Sequence, residues 1–106
     1  YEGGSTDVPE ESMHVLEEIG SIMEKYPALK IQIEGHTDST GDHGHNLRIA
    51  RERARKVLEQ ILALYPELSR DRFRVVGFGS DKPLASNSTP QGRRANRRVE
   101  FVVIED

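Results

Sequence analysis

Cysteine and tryptophan are missing from this 106-residue chain, and aromatic residues make up only 6% of it. Without cysteine there is no disulfide framework and no thiolate metal centre, although this assigns no compartment. Long apolar runs are missing too: none approaches the roughly 20 residues that a membrane-spanning helix needs. No secretory leader and no internal repeat can be recognised. The chain opens at Tyr1 rather than methionine, so it reads as one domain cut from a longer protein, with any targeting segment or anchor outside it. A basic excess is also lacking. Lys and Arg total 15 against 18 Asp and Glu, a net charge of -3, which argues against a nucleic-acid partner. The arginines do cluster, between residues 48 and 55 and again between 93 and 98, but without interleaved aromatics for base stacking.

What is present suits a soluble, well-solvated single domain over residues 1–106: 35% hydrophobic and 31% charged residues on a length that can bury a real core. Residues 1–6, glycine-rich and polar, read as a frayed end or the remnant of a strand. Asp7 and Glu10 have capping-box spacing, with Pro9 suited to a first helical turn. Apolar residues then recur at Val15, Leu16, Ile19, Ile22, Met23 and Tyr26, an amphipathic helix stopped by Pro27. Residues 30–34 alternate as a strand buried on one side, with Ile31 and Ile33 on that face. A polar loop (35–44) leads into a second helix over residues 46–65, ended by Pro66. Residues 73–78 form a β-rich run closed by Gly77 and Gly79. A long loop (81–96) holds a helical turn near 89–94. The last strand, 98–104, has Val99, Phe101 and Val103 on one face and Arg98 with Glu100, able to pair, on the other. The strand–helix–strand unit favours parallel neighbours with a right-handed connection. The fold class is α+β: a two-layer sandwich of the βαβαββ type, both helices on one face of a mixed sheet, the first strand truncated.

One residue breaks the second helix's pattern. Leu47, Ile49, Ala50, Ala54, Val57, Leu58, Ile61, Leu64 and Tyr65 fall within about half of the helical wheel. Arg53 lies inside that arc, between Ile49 and Val57 on one i, i+4 row. A buried guanidinium needs an anionic partner, and Asp38, in the loop that feeds this helix, is within reach. A structural Asp38–Arg53 salt bridge or a snorkelling arginine accounts for the pattern. So does a ligand site, in which Arg53 and the free N–H groups of the helix start take a carboxylate while Asp38 takes an ammonium. That pair of charges is an amino-acid head group.

The run Ile33-Glu34-Gly35-His36-Thr37-Asp38-Ser39-Thr40-Gly41, then Asn46, Arg53-Ala54, Gly77-Phe78-Gly79, Pro83 and Asn96-Arg97-Arg98-Val99-Glu100 resembles the OmpA-like C-terminal domain. That family includes peptidoglycan-associated lipoproteins and the periplasmic part of flagellar stators. The resemblance runs in order from about Pro9 to the end. It implies a non-enzymatic domain that binds peptidoglycan non-covalently, through the diaminopimelate of the stem peptide, whose side-chain end carries a free ammonium and carboxylate when not cross-linked. The family's binding aspartate falls on Asp38 and its arginine on Arg53. Thr37 and Asn46 match loop positions that frame the pocket, and Arg97 matches a position at its rim. The resemblance further implies the periplasm of a Gram-negative-type bacterium, a parent anchored in the outer or inner membrane, no membrane contact by the domain itself and no cofactor; it is compatible with a homodimer. This sequence departs from the family at His45, where tyrosine is usual, at Ile49-Ala50, where Leu-Ser is usual, and in how little of a first strand precedes Asp7.

Other chemistries leave weaker signals. His36, Asp38, Asp42, His43 and His45 are metal-ligating types, but their spacing matches no standard zinc pattern. A metal-dependent hydrolase of wall fragments built on that loop is the alternative function. No serine–histidine or cysteine–histidine signature is present, and Asp38 with Asp42 as a glycosidase-like acid pair would sit in a solvated loop. His14, near the first helix's apolar side, reads as structural or half exposed.

Overall fold

The computed structural model describes residues 1–105. Six regular elements follow one another: α1 (Met13–Lys25), β1 (Lys30–His36), α2 (His43–Leu64), β2 (Phe73–Gly79), α3 (Pro90–Asn96) and β3 (Val99–Glu105). The strands lie in the order β2-β1-β3, with β1 parallel to β2 and antiparallel to β3. This is the two-layer α+β sandwich with a mixed sheet that the element order implies. The core is shared by Leu16 and Met23 of α1, Ile31 and Ile33 of β1, and Ala54, Val57, Leu58 and Ile61 of α2. Burying each large side chain of this set contributes on the order of 2 kcal/mol.

Two glycines set how closely α2 approaches the sheet. Gly35 and Gly77 are register partners on β1 and β2. A Cβ on Gly35 would sit 1.8 Å from the Ala50 carbonyl oxygen, and one on Gly77 would sit 2.6 Å from the Arg51 nitrogen. The helix backbone therefore rests directly on the strands. Just beyond, the register shifts so that His36 pairs with Gly79, a bulge that bends the strand end.

Several local expectations are corrected. Asp7 does not cap α1: a 3-10 turn over Glu10–Ser12 comes first, with no side-chain cap. Asp7 instead pairs with Lys56 at 3.1 Å, and the extended Pro9, with ψ of 138°, holds it away from the helix. Residues 1–6 form no strand. They form a turn, Ser5 N–H donating to the Glu2 carbonyl at 3.1 Å, whose carbonyls are held by arginines described below. Val103 lies on the expected face of β3, yet it is 56% exposed. The reason is that β3 is an edge strand and α2 lies mainly over β1 and β2. The turn foreseen at 89–94 is the helix α3, capped by the Thr89 hydroxyl accepting from Gly92 N–H. His14 is exposed.

Gly35→Ala would drive a methyl group into backbone that has no room to yield. We expect a loss at or above the upper end of the overpacking range, about 3 kcal/mol, measured as a fall in urea midpoint at unchanged m-value. A midpoint within 0.5 M of the parent, on the order of 1 kcal/mol by typical urea slopes, would show that α2 does not bear on this strand.

Candidate functional site

A cavity of about 380 Å³ opens where β1 ends and α2 begins. Thr37 and Asp38 form one wall, Asn46 and Arg53 a second, and Arg93 and Arg97 of the α3 region a third. Gly3 and Gly4 close the remaining side. All five residues named from the sequence (Thr37, Asp38, Asn46, Arg53 and Arg97) therefore meet at one place.

Asp38 is nearly buried, at 8% exposure. One carboxylate oxygen accepts from Arg97 Nη1 at 2.7 Å and the other from Thr40 N–H at 2.9 Å. Burial alone would raise its pKa, but the Arg97 hydrogen bond, those from Thr40 and the Arg97 charge outweigh it, so the carboxyl is held below its ordinary value. The salt bridge thus joins Asp38 to Arg97, not to Arg53. Arg53 turns its donors to the backbone carbonyls of Ser5, His36 and Glu2 instead, whereas Arg97 leaves α3 beside the loop.

Arg53 is 1% exposed, yet it is satisfied by neutral groups. Its Nε donates to the Ser5 carbonyl at 2.8 Å, Nη1 to the His36 carbonyl at 2.9 Å and Nη2 to the Glu2 carbonyl at 3.1 Å. The Tyr1 ring stacks 4.7 Å from the guanidinium carbon, a cation–π contact. Among the described residues no carboxylate lies within salt-bridge distance of Arg53. Burial, and then the nearby Arg97 charge, lower its pKa, but a guanidinium stays charged at any physiological pH. Three of its five N–H donors are taken, and two remain.

The loop is held from several sides. Asn46, also buried, donates its amide to the carbonyls of Asp38 (3.4 Å) and Thr40 (3.1 Å). The Thr37 hydroxyl donates to the Asp38 carbonyl at 2.8 Å, and Thr37 N–H to Gly79 at 2.8 Å. Asn96, fully buried, accepts from Leu84 and Ala85 N–H and donates to the Asn87 side chain, which accepts from Ser39 N–H. The start of α2 is only partly free for a ligand. Asp42 caps it, its side chain accepting from His45 N–H at 2.9 Å and its carbonyl from Asn46 N–H at 2.9 Å.

Arg93, Gly3, Gly4, Thr40, His45 and Ile49 also line the cavity. Arg93 was legible as the i−4 neighbour of Arg97 once a helix was placed there. The Gly3-Gly4 pair falls in the glycine-rich start of the chain, where Gly4 takes a left-handed φ of 75°. The candidate metal loop does not come together. His43 pairs with Asp81 at 2.8 Å, Asp42 caps α2, and Asp38 holds Arg97, while His36 points to the opposite face of the sheet beside Glu34.

The OmpA family profile matches residues 1–97. The peptidoglycan-binding protein ArfA of Mycobacterium tuberculosis is 38% identical over 89 residues, covering 84% of this chain and 27% of that protein. The probable lipoprotein YiaD of Escherichia coli is 32% identical over 103 residues, covering 97% of this chain and 46% of that protein. The chain thus spans less than half the length of these two relatives. The crystal structure of the peptidoglycan-associated lipoprotein from Burkholderia pseudomallei superposes with a TM-score of 0.91, covering 97% of this chain and 86% of that chain, at 24% identity. This likeness shows a shared fold.

Because Asp38 is stabilised as a carboxylate only in the folded state, its contribution is complete above its unfolded pKa of about 3.9 and is lost as pH falls through the lower folded value. Melts stepped from about pH 5 to pH 2 should show a steeper stability loss for the parent than for Asp38→Asn. Parallel pH profiles for the two proteins would contradict the Asp38–Arg97 pairing.

Proposed function

The chain belongs to the OmpA family, and on that premise we propose that it binds peptidoglycan non-covalently and ties a longer, membrane-anchored parent to the cell wall from the periplasm. The observation that carries this is the buried Arg53 guanidinium. It is pinned by three backbone carbonyls, faces no protein carboxylate among the described residues and forms part of a cavity wall that also carries Asp38. Such an arrangement has a charge waiting for a ligand carboxylate. A curated relative named as peptidoglycan-binding, 38% identical, supports the same conclusion.

Within that function we assign the ligand as diaminopimelate of the stem peptide. Its free carboxylate takes the two remaining Arg53 donors, with Arg93 and Arg97 adding positive field. Its ammonium takes the lone pairs of Asp38 left over by Arg97 and Thr40. Thr37 and Asn46 hold the loop in the shape that presents Asp38. Three guanidinium groups against one carboxylate leave the cavity net positive, which favours the anionic end of a zwitterion.

The groups do not favour hydrolysis. An acid–base carboxyl wants a pKa raised toward neutrality, whereas Asp38 is held below its ordinary value by Arg97. A small zwitterion gains affinity only on the order of micromolar to millimolar, so wall attachment would draw on many equivalent sites.

A stem peptide containing meso-diaminopimelate should bind with chelator present. Asp38→Ala and Arg53→Ala should each weaken it at least about 30-fold, since truncating one side of a buried charge contact costs 2–5 kcal/mol. Calorimetry, with circular dichroism as the folding control, reads this out. Arg53→Lys, which keeps the charge but loses the fork, should also bind more weakly. Undiminished peptidoglycan pull-down by the folded variants would reject the site, and chelator-sensitive cleavage of wall fragments would point to the hydrolase instead.

A further inference from the structure

The face of the sheet that the helices leave uncovered carries a second cluster. Glu34 of β1 and Glu100 of β3 are direct register partners. Like charges placed opposite each other across two strands destabilise a sheet unless something offsets them. Between them lies His36, 1% exposed, whose two ring nitrogens have no hydrogen-bond partner. Its Nε2 is 3.8 Å from Glu34 Oε1 and 4.0 Å from Glu100 Oε2. The three potential ligand atoms all lie within 4.8 Å of one another.

We propose that Glu34, His36 and Glu100 form a binding site for a divalent transition cation of the zinc type, which would clip the edge strand β3 to β1. Tetrahedral coordination at 2.0–2.2 Å sets neighbouring ligand atoms roughly 3.3 Å apart, so the cluster has to contract by about 1 Å. The supporting contacts suit the task. Gln32 Nε2 donates to Glu34 Oε2 at 2.7 Å, which turns Oε1 toward the histidine. Arg98 Nε donates to Glu100 Oε2, the oxygen nearest His36, so a cation has to share that oxygen with Arg98 or take Oε1. The His36 ring stacks on Phe78 at 5.5 Å between centroids, which fixes its plane. Burial and then the Arg98 charge lower the His36 pKa. Arg98 and Lys82 bring positive charge close by and oppose the cation, so affinity is moderate rather than tight. Entry is from the side of Glu100, whose side chain is 43% exposed. The site is separate from the Asp38–Arg53 cavity and does not depend on what that cavity binds.

Zinc chloride at saturating concentration should raise the melting temperature of the chain by about 10–15 °C, as a ligand present at roughly 100 times its dissociation constant does for a domain of this size. Cobalt(II) should give the visible absorption of a low-coordinate N/O site. His36→Gln should abolish both signals and Glu100→Gln should reduce them at least tenfold in apparent affinity, each compared with its own metal-free melt. Should His36→Gln fail to fold, Glu100→Gln carries the test, because its side chain is partly exposed. His14→Ala/His43→Ala should respond to zinc like the parent. No zinc-dependent shift, a shift that survives His36→Gln, an apparent zinc affinity unchanged by Glu100→Gln, or loss of the shift in the His14/His43 variant would each overturn the site.

Discussion

The structure turns on the way one arginine is buried. Arg53 joins α2 to the end of β1 through the His36 carbonyl and to the first residues of the chain through the Ser5 and Glu2 carbonyls. Taking a guanidinium out of water costs several kcal/mol, so each of these hydrogen bonds has to hold for the burial to be tolerated. The consequence is geometric. Because carbonyls rather than a carboxylate satisfy Arg53, the N-terminal turn, the strand end and the helix are fixed together while the positive charge stays uncancelled. A salt bridge to Asp38 would have supplied the same rigidity and neutralised the cavity.

Asp38 shows the complementary solution. Its charge is kept by Arg97 and Thr40, and Arg97 also donates from Nε to the Tyr1 carbonyl at 2.6 Å. Two arginines thus hold the same N-terminal segment from two directions, and one of them sets the acid in place. The cavity is preorganised by bonds that do not involve a ligand, which is how a site limits the ordering cost of binding.

Much of this was legible in the chain. Alternation at Ile31 and Ile33 gave the strand and its buried face, and the wheel put Arg53 on the buried side of α2, where it lies. These signals survive because burial of one face imposes a period on the sequence. The Asp38 partner was not legible. Arg53 and Arg97 offer identical chemistry, and only the backbone carbonyls that take the Arg53 donors separate them. The N-terminal turn was missed because its order comes from carbonyls held by side chains some 48 and 51 residues away in sequence, and carbonyls leave no residue-type signature. The capping box at Asp7 failed for a related reason: Lys56, from a distant part of the chain, claimed the acid.

The glycines of the motif divide the labour between the two faces of the sheet. Gly35 and Gly77 bring the α2 backbone onto the strands, which lowers Arg53 to the level of the His36 carbonyl. With a side chain at position 35 the helix would ride higher and the Arg53 reach would change. Alternation then sends the His36 ring to the far face, where it meets Glu34 and Glu100 instead of the cavity. One residue therefore serves two environments: its carbonyl completes the anion-facing side of the molecule, and its imidazole sits in a carboxylate-flanked slot on the other.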